Sequence, residues 1–356
     1  MNRSRPAFSG AELWDGADRM LRVAAELSSA LVTVALVLGL VMTPQLAGAQ
    51  ARADAPRIGM LNFGTAPSGT DPDPDKGIRQ GLREHGYVEG QNIHIERRYA
   101  DGRIDRVAAL AAELVQMRVD VIFASGPAAL EAARKATPSI PIVAMAGADP
   151  VREGWAQSLA HPGGNVTGMT VTFPELMPKC LELLQQAVPG LARTAVLIAP
   201  TDFPQAGPVI QAMQDGARLL RMQLQVLEVR GPQDFEAAFS LARAREAQAL
   251  FVPATNTAVT HRSRLATLAA SHRLPSISEF PLMAQAGFLL SYGADLDDLG
   301  RRAITYIDKI LKGARPGDLA IERPTRFQLI VNLKTARTLG ITIPQALLLR
   351  ADEVIE

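Results

Sequence analysis

The strongest constraint in this chain is a rhythm that occurs twice in the same order. From Arg57, short apolar runs of β-forming residues alternate with longer segments of helical periodicity. The first set reads RIGMLNF (57–63), a helix ending GLREHGY (81–87), NIHIERRY (92–99), a helix RVAALAAELVQM (106–117) and VDVIFASG (119–126). The second reads RTAVLIAPTD (193–202), a helix VIQAMQDGARLLRM (209–222), LQVLEVRG (224–231), a helix DFEAAFSLARA (234–244) and ALFVPATN (249–256). Strands alternating with helices predict a parallel α/β architecture. In helix 106–117, Val107, Leu110, Ala111, Leu114 and Val115 fall on one face, as a helix covering a sheet requires. Two consecutive copies predict two Rossmann-like, doubly wound lobes with a ligand cleft between them.

Beyond these sets, LPSISEF (274–280) and GFLLSYG (287–293) read as two further strands, followed by a helix over 296–313. RFQLIVNLKTARTLG (326–340) reads as a strand leading into a last short helix, and the segment from His161 to Gly168 (HPGGNVTG) as a structural turn.

In open parallel sheets, ligands bind beyond the carboxyl ends of the strands. In the register of the two sets, Asn62-Phe63-Gly64 matches Pro200-Thr201-Asp202, and Ser125-Gly126-Pro127 matches Ala254-Thr255-Asn256. Small and polar residues therefore end matching strands in both halves. Ser125-Gly126-Pro127 has two compatible readings. It offers a hydroxyl and helix amides to a ligand carboxylate, or it is a plain N-cap with proline just inside the helix. Asp149-Pro150 either accepts from a ligand amine or caps the next segment. Asp202 and Asn256 are candidates from the second half, and Tyr292 from the strand GFLLSYG. Thr170 and Glu279 complete the predicted ligand-binding set. Aromatic residues make up only 5% of the chain, so those at strand ends carry weight. Phe63, Phe203, Phe280 and Tyr292 with a few polar anchors have the composition of a pocket for a planar small molecule, although each alone is more often a core residue.

Charge and chemistry exclude other classes. Across 356 residues the formal net charge is +1, which gives no long-range field for nucleic acid or anionic lipid. The single cysteine, Cys180, excludes an intramolecular disulfide and any multi-cysteine metal cluster. No nucleophile elbow, phosphate loop, zinc-protease helix or dinucleotide fingerprint is present, and the five histidines are scattered. The expectation is a binding protein, with no catalytic residue, metal or cofactor.

The N-terminus sets the expected compartment. No charged residue occurs from Leu27 to Ala51, ALVTVALVLGLVM (30–42) is strongly apolar, Arg19 and Arg22 precede it, and Ala47-Gly48-Ala49 follows. This is the pattern of a secretory signal peptide cleaved after about Ala49, with Met1 or Met20 as the start. The alternative is a retained membrane anchor.

Several longer runs carry a likeness to a known family. GLREHGYVEGQNIHIERRYADG, IPIVAMAGADPV, HPGGNVTG, LLSYG and above all PTRFQLIVNLKTARTLGITIPQALLLRADEVIE resemble the ABC-transporter substrate-binding family associated with tryptophan and tyrosine uptake, over about Arg57 to Glu356. The resemblance implies a periplasmic binding protein type I fold: two α/β lobes, a three-strand hinge and one small ligand in the cleft. On that reading residues 1–49 are the signal peptide. Residues 57–170 plus 290–318 form the N-terminal lobe, and 171–289 plus 319–356 the C-terminal lobe. The implied function is the periplasmic solute-binding component of an importer, an aromatic amino acid being the favoured ligand. Its partners would be an inner-membrane ABC permease and its ATPase, or alternatively a membrane sensor, with no nucleic acid. One departure stands out. Family members often carry an Asn-Pro-x-Asn loop where this chain has Ala199-Pro200-Thr201-Asp202-Phe203, and a carboxylate there would favour a cationic group on the ligand.

Overall fold

Arg57–Asn62 (β1) sends alternate side chains into two separate cores, as expected of a strand covered by helices on both faces. It pairs in parallel with His94–Tyr99 (β2) on one side and Val121–Ser125 (β3) on the other. Ile142–Met145 (β4) and Val166–Met169 (β5) extend the sheet, again in parallel. The order is β2-β1-β3-β4-β5, so the connections reverse direction between β1 and β3. This computed structural model describes residues 55–67, 75–146, 149–171, 176–200 and 206–356. The predicted signal segment and Asp202 and Phe203 lie outside the described residues.

The second sheet repeats that plan. Arg193–Ile198 (β6), Gln223–Glu228 (β7), Ala249–Phe251 (β8), Ser276–Ser278 (β9) and Leu290–Ala294 (β10) are parallel in the order β7-β6-β8-β9-β10. Phe327–Asn332 (β11) then joins antiparallel to β10, and Glu353–Ile355 (β12) pairs with β11. The repeated rhythm thus becomes a repeated strand order. Pro56–Glu356 groups as one compact unit.

Each sheet has an apolar core on either face. On the first, Leu61, Ile122 and Ile142 meet the helices Ile104–Gln116 (α2) and Pro127–Ala136 (α3) through Ala111, Leu114, Leu130 and Ala133. On the other face, Ile58, Met60, Val121, Phe123 and Val143 pack on Lys76–Glu84 (α1) and on Leu296–Leu311 (α10). Burying each such side chain contributes about 1.5–3 kcal/mol before the entropic cost of ordering it. In the second sheet the helices Leu176–Ala187 (α4) and Ala206–Leu219 (α5) cover one face, and Phe235–Ala244 (α6) with Arg262–Ser271 (α8) cover the other. Between α6 and α8 lies the short helix Asn256–Thr260 (α7), and Pro281–Gln285 (α9) follows β9.

Helix α10 follows a strand of the second sheet yet covers the first, so the chain crosses there. A Cβ on Gly77 would lie 2.0 Å from the Asp297 carbonyl oxygen, and one on Gly81 2.7 Å from that of Arg301. Only glycine lets α1 and α10 approach this closely. At the crossing, Asp295 caps α10 by accepting from the Asp298 amide at 2.9 Å, and its own amide donates to the Arg326 carbonyl at 3.0 Å. A second tie joins the Thr170 amide to the Glu322 carbonyl at 3.0 Å, beside the β5 end. The connections after β5, after β10 and before β11 therefore run side by side between the sheets.

Two sequence expectations change. Leu290–Ala294 pairs within the second sheet, so the crossing comes at Asp295 and not at residue 290. The Gly-rich segment read as a turn contains β5. Gly168 has φ +133, and a Cβ there would meet the Ala144 carbonyl oxygen at 2.0 Å, so glycine serves close strand approach as well as the turn before it.

Candidate ligand-binding cleft

The carboxyl ends of β1 and β3 face the segments after β8 and β9 across a cleft of about 490 Å³. That volume lies within the usual range for small-molecule sites. Asn62 closes β1, with its register partners Tyr99 and Ser125 on either side. The Asn62 Nδ2 is buried and has no hydrogen-bond partner. A buried, unsatisfied donor in a cleft is a group a ligand acceptor would satisfy.

Ser125 ends β3, and Gly126 (φ +92) is the N-cap of α3, which has no side-chain cap bond; Pro127 is the first helical residue. The plain-cap reading of Ser125 is thereby corrected, because the cap position falls one residue later, on glycine. The first intrahelical bond is from the Leu130 amide to the Gly126 carbonyl at 3.1 Å. The Ala128 and Ala129 amides precede it at the positive end of the helix dipole, an arrangement that favours an anion.

From the opposite lobe, Thr255 caps α7 by accepting from the Ala258 amide at 3.2 Å, which leaves the adjacent Asn256 side chain to line the cleft. A Cβ on Gly126 would lie 3.7 Å from Asn256 Oδ1, and one on Gly102 3.0 Å from Thr260 Cγ2. The lobes meet at these two points.

Glu279 follows β9 and is 2% exposed. One carboxyl oxygen accepts from the Ala254 amide at 2.9 Å, and the other lies 3.5 Å from the Ser278 hydroxyl. Burial pushes its pKa up to about 7 against the opposing pull of these hydrogen bonds. No basic side chain among the described residues pairs with it. Apolar surface comes from Phe63, Phe123, Met145, Val171 and Phe280. At the rim, Lys76 Nζ and Asp297 Oδ2 form an exposed ion pair at 3.0 Å.

Of the predicted set, Asn62, Phe63, Ser125, Gly126, Pro127, Asn256 and Glu279 come together here. Asp149 does not. Its carboxylate accepts from the Val151 and Arg152 amides at 3.2 and 3.1 Å, which is the capping alternative. Thr170 is buried beside the lobe crossing, its Oγ1 without a partner. Tyr292 turns away from the cleft to stack on Phe327 with centroids 6.0 Å apart, and its carbonyl accepts from the Cys180 thiol at 3.3 Å. The strand's alternation puts Tyr292 on the face that packs against α4. Sequence reasoning missed Tyr99 and Phe123. Tyr99 ends β2 beside Asn62, so the strand-end rule would have found it; Phe123 lies within β3 and nothing in the sequence separates it from core.

The family model described as ABC transporter substrate binding protein matches residues 72–355. The chain belongs to this family. A relative of this substrate-binding protein, the "Tyrosine-binding protein" of Clostridioides difficile strain R20291, is 26% identical over 266 residues, covering 75% of this chain and 76% of the relative. The crystal structure of an ABC domain in complex with L-Trp, from Streptococcus pneumonia, is 26% identical and has a TM-score of 0.76, covering 85% of this chain and all of that one. A leucine binding protein of Thermotoga maritima, 15% identical, shares the fold at a TM-score of 0.53, over 72% of this chain and 83% of that one. The substrate-binding protein accordingly has the periplasmic binding protein type I fold. Among its described residues, no helix is long and apolar enough to cross a membrane.

Proposed function

We propose that this substrate-binding protein captures an aromatic L-α-amino acid between its lobes and presents it to an inner-membrane ABC permease with its ATPase, performing no reaction itself. One observation carries the reading: a single cleft holds complementary receptors for a zwitterion on opposite lobes. The uncapped N-terminus of α3 with the unsatisfied Asn62 amide suits a carboxylate, and the buried Glu279 carboxyl suits an ammonium. Phe63, Phe123 and Phe280 supply a surface for an aromatic side chain. The ligands named for the Clostridioides and Streptococcus relatives agree with this choice.

A zwitterion so held bridges the lobes. It favours the closed form by its differential affinity for that form, which is the signal a permease reads. We read residues 1–49 as a cleaved signal peptide and the mature protein as periplasmic. The test is calorimetry of purified 50–356 with the common L-amino acids and their decarboxylated and deaminated analogues. Saturable binding of L-tyrosine or L-tryptophan, lost when either the carboxylate or the amine is absent, is the expected result. Equal binding of tyrosine and of an aromatic acid lacking the amine would overturn the zwitterion reading.

A further inference from the structure

Glu279 is more deeply buried than an ammonium receptor requires, and its surroundings supply no compensating charge. The β8–α7 loop contributes the Ala254 amide, β9 the Ser278 hydroxyl, and β10 presents Gly293, where a Cβ would meet the Glu279 carbonyl oxygen at 1.6 Å. From α4 comes Cys180, whose thiol is fully buried and pushed well above its ordinary range by that burial, so it is neutral. At the start of α9 stand its N-cap Phe280 and Pro281, both uncharged. The charged groups elsewhere along the cleft are Asp75, Lys76, Arg262, Asp297 and Glu353, and none is hydrogen-bonded to the Glu279 carboxyl. A carboxylate without a counter-charge in such a place is costly, and protonation relieves the cost.

We propose that Glu279 couples ligand capture to proton release: the carboxyl is protonated in the empty cleft, and docking of the ligand ammonium expels that proton to solvent. The inference rests on the amino-acid reading above and adds to it a pH dependence that reading does not require. No bond other than O–H changes. The neutral acid of the empty site becomes a carboxylate paired with the ammonium, and buffer takes up the proton. Burial holds the empty-state group near neutrality, about 7. Affinity is then greatest just above neutral pH, where the carboxyl is ionised and the ligand ammonium keeps its charge, and falls as the solution is acidified. From pH 8.0 to 5.5 the expected loss is about 30-fold, and close to one proton leaves per ligand bound at pH 6.

The experiment is calorimetry with L-tyrosine and L-tryptophan at pH 5.5, 6.0, 7.0 and 8.0, each in two buffers of different ionisation heat. A difference in observed heat between buffers reports proton release directly. Glu279→Gln keeps the shape and an acceptor for the Ala254 amide, and should bind weakly, without proton release and with a flat pH profile. If that variant does not fold, the wild-type buffer pair and the carboxyl-carbon resonance of Glu279 in the empty protein decide alone. A resonance that titrates in the ordinary glutamate range, or pH-independent affinity with no proton release, overturns this inference while amino-acid binding stands. Failure of every amino acid to bind overturns the functional reading and this one with it.

Discussion

Replacing Asn62 with alanine separates binding from folding at one position. The Nδ2 is buried without a partner, a state that typically costs 1–3 kcal/mol, so the ligand-free fold gains nothing from this donor. Its backbone role is independent of the side chain, because it is the Asn62 carbonyl that accepts from Ala100 at 3.0 Å. With a carboxylate in the cleft the same donor makes a charge-assisted bond, for which about 1.5–3 kcal/mol is usual. Asn62→Ala should therefore weaken amino-acid binding by about ten- to 150-fold and leave the melting temperature of the empty protein unchanged or slightly higher. Calorimetric titration gives the first quantity, and a thermal melt of dialysed, ligand-free protein the second. A variant that melts several degrees lower yet binds with wild-type affinity would refute the argument, because Asn62 would then be supporting the β1 end.

Glu279→Gln should also raise the stability of the empty protein, increasingly so as pH rises from 5 to 8. The carboxyl's folded pKa of about 7 lies above its unfolded value, so the wild type is favoured below that unfolded value and loses that advantage as pH passes through 7. The full difference is on the order of 3 kcal/mol, read from urea midpoints across the pH series. Gly77→Ala should destabilise by about 1–3 kcal/mol in the same denaturation assay, because its Cβ would lie 2.0 Å from the Asp297 carbonyl oxygen and force α1 from α10. Gly102→Val places a branched side chain at φ +71 against Thr260 and should hold the cleft open. Small-angle scattering would show a reduced ligand-induced contraction, and affinity would fall. Asp295→Ala removes the α10 cap and should cost about 1 kcal/mol by urea denaturation.

Much of this architecture was legible because it repeats. Apolar runs beginning at 57, 119 and 193 became strands buried on both faces, and the residues that end the first two, Asn62 to Gly64 and Ser125 to Pro127, line the cleft. The repeat gave correct partners for Ser125-Gly126-Pro127 in Ala254-Thr255-Asn256, since equivalent strands end on equivalent sides. Where the reading failed, the deciding contacts are distant in sequence. Tyr292 reads as a strand-end pocket aromatic until β11 supplies Phe327 for it to stack on. The HPGGNVTG segment looks like a turn until β4 supplies the backbone that Gly168 must approach. Glu279 was nameable as a candidate, but its burial depends on three separate segments closing around it.

The late arrival of α10 has a consequence for synthesis. Ile58, Met60, Val121, Phe123 and Val143 all lie within the first 143 residues, yet the helix that completes their cover begins at Leu296. A chain emerging N-terminus first therefore carries one greasy, half-dressed sheet face until almost its whole length is available. Truncation before residue 296 removes that helix and leaves the face wet. Until α10 arrives the cover of the first sheet is incomplete, and apolar surface exposed in this way is what drives aggregation of partly made chains.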